Sequence, residues 1–290
     1  MTSTAPTSTA GPADAADHGL AQLRPASVAY RRAFPGLLGR DLYLLRKGWK
    51  IFIARTIIQP LLLVFVFTYV FPKIGQGVGG SGKQASDFST QLVAGVIGLA
   101  IVFQGIQAVA LPLVQEFGVS REIEDRVLAP LPTWAVGVQK IVTGVIQSMI
   151  AALLVFPIAA VVPSDKVRLS IHWPLLLTLA PLAGWVAGAL GLTLGTKVKP
   201  FQVPVLFAVI VLPLTFLGAT YYPWARLSAV RWLQVAVLIN PVVYMTEGFR
   251  ASLVDGVPHM SLWAIYGALA AFAVVLTYVG VTGFQRRVVT

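Results

Sequence analysis

The chain contains no cysteine, which excludes disulfides and thiolate metal centres. Charge is almost as scarce. Asp, Glu, Lys and Arg make up 11% of its 290 residues, against about 25% in ordinary soluble domains. The three histidines, His18, His172 and His259, are scattered, and only Asp255 lies near one of them, so a metal site is not indicated. No nucleophile–base arrangement stands out either, which argues against a membrane-embedded enzyme. What fills the space is apolar: 57% hydrophobic residues and a mean hydropathy of +0.78. A water-soluble fold could not hide so much apolar surface, so the composition defines a polytopic membrane protein.

Six segments approach the roughly 20 apolar residues that a helix needs to cross the hydrocarbon core. They are 51–71, 92–114, 141–162, 175–194, 205–222 and 262–284. Backbone polar groups must be satisfied within lipid, so each reads as a helix and the fold class is an all-α membrane protein with six transmembrane helices. A seventh apolar stretch, 233–245, is too short to span and carries Asn240-Pro241. It reads as part of a re-entrant element over 223–250, before the sixth span.

Net charge is +11, from 22 basic and 11 acidic residues. Orientation explains the excess without nucleic acid, because Lys and Arg collect in cytoplasmic loops. With both termini cytoplasmic, the inner segments hold twice as many basic residues as the outer ones. Arg55 alone falls inside a span, close enough to one end to snorkel back. Residues 1–33, rich in Ser, Thr, Ala and Pro, read as a disordered cytoplasmic tail rather than a cleavable signal. The rest, 34–290, reads as one six-span domain.

Four features carry candidate function. Over Phe34–Lys50, Phe34, Leu38, Leu42, Leu45 and Trp49 share one helical face while Arg40 and Lys47 point away, which predicts an amphipathic interfacial helix. Between the second and third spans, EFGVSREIEDR concentrates Glu116, Arg121, Glu122, Glu124, Asp125 and Arg126, a docking surface for a soluble partner or a solvated turn. Gln59, Gln104, Gln107 and Gln147 lie within spans, as interhelical hydrogen bonds or as a pathway lining. No Asp or Glu falls inside the spans, which disfavours ion-coupled transport, and Glu247 is expected on the outer side in an i,i+3 pair with Arg250. Gly77–Gln84 (GVGGSGKQ) only approaches a phosphate loop. Gln84 stands where Ser or Thr should ligate magnesium, and no strand precedes it. The chain has no ATP-binding motif of its own.

The stretch PLTFLGATYYPWARLSAVRWLQVAVLINPVVYMTEGFR, from Pro213 to Arg250, resembles the C-terminal signature of type-2 ATP-binding-cassette (ABC) exporter permeases. The matching positions are Tyr222-Pro223, Trp232-Leu233, Asn240-Pro241, Tyr244, Glu247 and Arg250, with Gly218-Ala219 in place of the usual Ser-Gly turn. The segment REIEDRVLAPLP (121–132) is similar to the charged loop after the second span of drug- and lipid-exporting members. The resemblance implies a membrane-spanning permease subunit of the cell membrane, working as a pair with a second copy or a paralogue. A separate cytoplasmic ATPase would bind ATP and magnesium and drive export of a drug, lipid or lipid-linked glycan. Glu116–Arg126, with Arg40 and Lys47, would receive the ATPase stroke. Tyr222, Pro223, Asn240, Pro241, Tyr244, Glu247 and Arg250 would form an outer gate. An enzyme or assembly scaffold uncoupled from ATP is the competing reading.

Overall fold

The computed structural model describes residues 26–74, 83–120, 131–163, 167 and 169–289. All regular structure among them is helical. Helix α1 (Ala26–Lys47) ends before Gly48, and α2 runs from Trp49 through a π-helical turn at Val66–Val70 to Lys73. Then come α3 (Lys83–Gln115), continued by a π-helical turn over Glu116–Ser120, α4 (Thr133–Val161), α5 (Trp173–Gly195) and α6 (Val203–Phe216). A 3₁₀ turn (Trp224–Ala229) leads into α7 (Arg231–Ala236), α8 (Pro241–Leu253) and α9 (Leu262–Val289).

Among the described residues, five helices are long and apolar enough to cross a membrane: Trp49–Lys73, Ser86–Gly118, Thr133–Ile158, Trp173–Gly195 and Leu262–Val288. They correspond to five of the six segments read from the sequence. The remaining one, 205–222, is shorter than expected. Its helix stops at Phe216, because the chain turns through Leu217, Gly218 and Ala219, and Ala219 takes a φ of 53°. At 1.5 Å per residue it covers about 21 Å, against roughly 30 Å of hydrocarbon. Proline shapes this helix and α2 alike. Pro213 and Pro72 cannot donate to the preceding turn, and a π-helical turn stands just before each, at Phe207–Val211 and Val66–Val70.

Helix α3 is the centre of the bundle and is buried along most of its length by α2, α4, α5 and α8. Small residues permit the close approach. A Cβ on Gly191 of α5 would stand 2.7 Å from the Ile106 carbonyl oxygen of α3, and one on Gly188 would stand 3.1 Å from the Ile141 carbonyl of α4. The two glycines, one turn apart, thus bring three backbones together.

Helix α1 lies against α4. Phe34, Leu38, Leu42 and Leu45 are half-buried while Arg40 and Lys47 are exposed, but Trp49, expected on the same face, is exposed and belongs to α2, because the helix breaks at Gly48. The helix starts at Ala26, eight residues earlier than Phe34, since ASVAYRRA contains neither Gly nor Pro to stop it. Two ends of the bundle can be distinguished. The basal end carries α1, the start of α4 and the ends of α5 and α9. The distal end carries the turn after α6 and the segment from Trp224 to Leu253.

Candidate functional site

At the basal end the sequence places Lys140 two turns inside α4, where the side chain is almost wholly buried. Two carboxylates from other helices meet it. Glu116, at the start of the wide turn ending α3, accepts from Lys140 Nζ at 2.7 Å, and Asp41 of α1 lies 3.5 Å from the same nitrogen. All three are at least nine-tenths buried. Gln139 Nε2 donates to Asp41 Oδ2 at 3.0 Å and to Thr143 at 3.0 Å. Asp41 occupies the inward face of α1 between Leu38 and Leu45, so an apolar stripe delivers a carboxylate into the bundle. A cavity of about 320 Å³ opens beside the cluster, bordered by Leu44, Pro112, Gln115 and Gln147.

A buried ion pair is weak evidence for stability, because desolvation offsets most of the Coulomb gain. It does fix geometry, since neither charge can leave without stranding the other, buried and unpaired. The cluster therefore ties α1 and the end of α3 to α4. Glu116, counted with the charged loop on sequence grounds, is turned inward here. Arg121, Glu122, Glu124, Asp125 and Arg126 lie outside the described residues.

Above the cluster, Thr56 of α2 donates to Gln104 of α3 at 3.1 Å, and Gln104 donates to Gln147 of α4 at 3.1 Å. These two glutamines bond helix to helix. Gln59 and Gln107 do not join them. Gln59 is exposed, Gln107 is half-buried, and both border a shallow groove with Arg55.

The distal end holds a second buried ion pair. Asn240 caps α8, its Oδ1 accepting from Val242 N at 2.9 Å, and its Nδ2 donates to the Leu214 carbonyl at 2.6 Å. This seats α8 inside the bundle with Glu247 and Arg250 fully buried. Glu247 Oε1 accepts from the Arg250 guanidinium at 2.5 Å and from Trp224 N at 2.9 Å, and Oε2 accepts from Met260 N at 3.0 Å. Arg250 also donates to the Ala219 carbonyl at 2.8 Å. Tyr244 donates to the Leu238 carbonyl at 3.0 Å, Pro223 and Pro241 are buried, and Tyr222 is half-buried against Ala219 and Val243. Of the seven residues expected at an outer gate, Arg250 bonds the turn after α6 directly and Glu247 ties Arg250 to Trp224, while Tyr244 turns to Leu238 and stacks against Phe272 of α9.

The expectation that no carboxylate would be buried is corrected on three counts: Asp41, Glu116 and Glu247. The first two escape a count restricted to spans because they sit at helix ends and on an amphipathic face. Glu247 is paired with Arg250 as the spacing indicated, but inside rather than on a surface. Asp41 and Lys140 were missed as site residues. The signal for Asp41 was a lone acid at i+3 from Leu38 and i−4 from Leu45.

A bundle that buries one ionic cluster at its base, another beneath a distal cap, and leaves a polar groove on a membrane-crossing flank has the layout of a transport subunit. Residues 33–254 match the family described as ABC-2 type transporter, and the chain belongs to that family. Its relatives include proteins named "Inner membrane transport permease YadH" from Escherichia coli strain K12, Escherichia coli O157:H7 and Shigella flexneri. Each is 26% identical over 249 residues, 84% of this chain and 91% of the relative. The protein is accordingly a multi-pass membrane permease subunit of an ABC exporter.

Proposed function

We propose that the basal end faces the cytoplasm and docks a separate ATPase through the charged segment 121–126, with α1 lying in the inner interface. Two permease subunits form one pathway, and α6, with the turn that follows, completes a sixth crossing. The Trp224–Leu253 segment re-enters from the outer side and closes the pathway there. The ATPase holds ATP and magnesium, and the cargo is a drug, lipid or lipid-linked glycan.

The observation that carries this reading is Lys140 held between Asp41 and Glu116. The two segments that a cytoplasmic ATPase would press upon are α1 and the loop after α3. Helix α1 and the end of α3, from which that loop continues, are pinned to α4 by one buried ammonium, so a push on either is passed into the membrane-crossing bundle. Ionisable side chains at such depth are expensive to bury, which favours a functional reason for keeping them.

The test is ATP hydrolysis by the cognate ATPase in lipid nanodiscs, with and without the permease and with a Glu122→Lys, Glu124→Lys variant. The expected result is that the permease binds the ATPase and changes its turnover, and that the reversal abolishes both. An ATPase that neither binds nor responds overturns the assignment and reopens the scaffold alternative.

A further inference from the structure

Three polar side chains on one flank of the bundle have no hydrogen-bond or ion-pair partner among the described residues: Arg55 and Gln59 of α2 and Gln107 of α3. Arg55 and Gln59 are exposed and Gln107 is half-buried. At 1.5 Å per residue, Arg55 stands about 9 Å above the start of α2, Gln107 about 12 Å above the end of α3, and Gln59 about 15 Å up. They form a ladder from the basal surface to the middle of a hydrocarbon core roughly 30 Å thick. Snorkelling accounts for Arg55 alone. An amide halfway across is too short to reach either surface, so this flank calls for a polar partner that the described residues do not supply. Pro60, next to Gln59, adds to the demand, because it cannot donate the helical hydrogen bond to the Thr56 carbonyl on the same groove.

The ladder also has a sign. Its single charge is a guanidinium, the two amides above it can donate, and no carboxylate borders the groove. The basal acids Asp41 and Glu116 are turned into the Lys140 cluster. Phe103 and Leu99 line the same groove, so apolar surface lies beside the polar rungs. We propose that this groove receives the anionic head group of the cargo, and that the cargo is an amphipath with a phosphate head and an apolar body. Arg55 makes the first contact as a bidentate donor, and Gln107 and Gln59 take the head group over as it rises. A resident bilayer lipid would satisfy Arg55 at the surface, but its head group does not climb to Gln59. This inference rests on the exporter reading.

The permease–ATPase complex in nanodiscs of zwitterionic lipid is titrated with dodecyl phosphate, dodecylphosphocholine and dodecyltrimethylammonium below their micelle concentrations, reading ATP hydrolysis. Binding of a fluorescent dodecyl phosphate to the permease alone is read in parallel. Dodecyl phosphate is expected to half-stimulate at a concentration about tenfold below the cation, the size of one charged hydrogen-bonding contact. Arg55→Gln removes that preference, Arg55→Lys keeps most of it, and Gln59→Leu weakens it. Equal responses to all three head groups, or an unchanged preference in Arg55→Gln, overturn the proposal. So does displacement of the fluorescent probe by phosphatidylglycerol built into the disc, which would make Arg55 a bilayer anchor. Charge-selective binding to the permease without any ATPase response would sink the exporter reading and leave the head-group site standing.

Discussion

The Arg250 guanidinium donates to the Ala219 carbonyl at 2.8 Å, so a charge on α8 holds the one non-glycine residue with positive φ among the described residues. Left-handed backbone at a residue with a Cβ costs about 1 kcal/mol or more and persists only where its surroundings impose it. The turn that ends α6 is therefore set by α8, not by its own residues.

Two substitutions read that dependence. Arg250→Ala leaves Glu247 ionised and buried, and is expected to cost about 3–5 kcal/mol, seen as a lowered midpoint of thermal unfolding in detergent. Ala219→Gly relieves the strained φ and is expected to be neutral or to stabilise by up to about 1 kcal/mol. A strongly destabilised glycine variant would show that the Ala219 methyl matters more than its backbone.

Lys140→Ala leaves Asp41 and Glu116 buried without their cation and is likewise expected to cost about 3–5 kcal/mol. Asp41→Asn should cost less, because the amide still accepts from Gln139 and Lys140 keeps Glu116. If the two variants unfold at the same temperature, Asp41 contributes more to the cluster than its 3.5 Å separation implies.

Absence of cysteine makes orientation directly measurable. His259 at the distal end and Lys197 at the basal end are both exposed. In intact cells an impermeant maleimide should label His259→Cys, and should label Lys197→Cys only after the membrane is opened. The reverse pattern would invert the proposed topology.

Arg287 of α9 donates from one terminal nitrogen to the Gly195, Thr196 and Val198 carbonyls at 3.1, 2.8 and 3.1 Å, and its guanidinium stacks over Phe117 at 4.6 Å. A cation at a helix C-terminus contributes about 0.3–1 kcal/mol. Arg287→Gln should speed amide exchange in the last turn of α5 by a few-fold and leave its middle protected. Uniform loss of protection along α5 would mean that the contact supports the whole helix.

Legibility in the sequence followed the length of each signal. Long apolar runs announced five crossing helices, and helical spacing of Phe34, Leu38, Leu42 and Leu45 announced the face that α1 turns inward. The end of α6 was not legible, because it depends on Arg250, more than thirty residues away, holding Ala219. Nor was the burial of Glu247. A pair at i,i+3 looks the same on a surface or in a core, and only the Asn240 cap, fastened to Leu214, carries it inside. The span glutamines were visible as a group, but not that Gln104 and Gln147 would bond each other and leave Gln59 and Gln107 open. One-dimensional spacing fixes angles about a single helix, whereas that division depends on how three helices pack.

The wide turns in α2 and α6 give each helix a joint that can be re-threaded. A π-helical turn stores one residue more than an ordinary turn between the same hydrogen-bonding partners. Passing that residue along the helix rotates everything beyond it by about 100° and advances it by about 1.5 Å, with few hydrogen bonds broken at once. Beyond the joint in α2 lies Phe71, stacked edge-on with Phe67. Beyond the one in α6 lies Phe216, ringed against Tyr221. Each helix can thus turn its aromatic tip about its own joint, like a key.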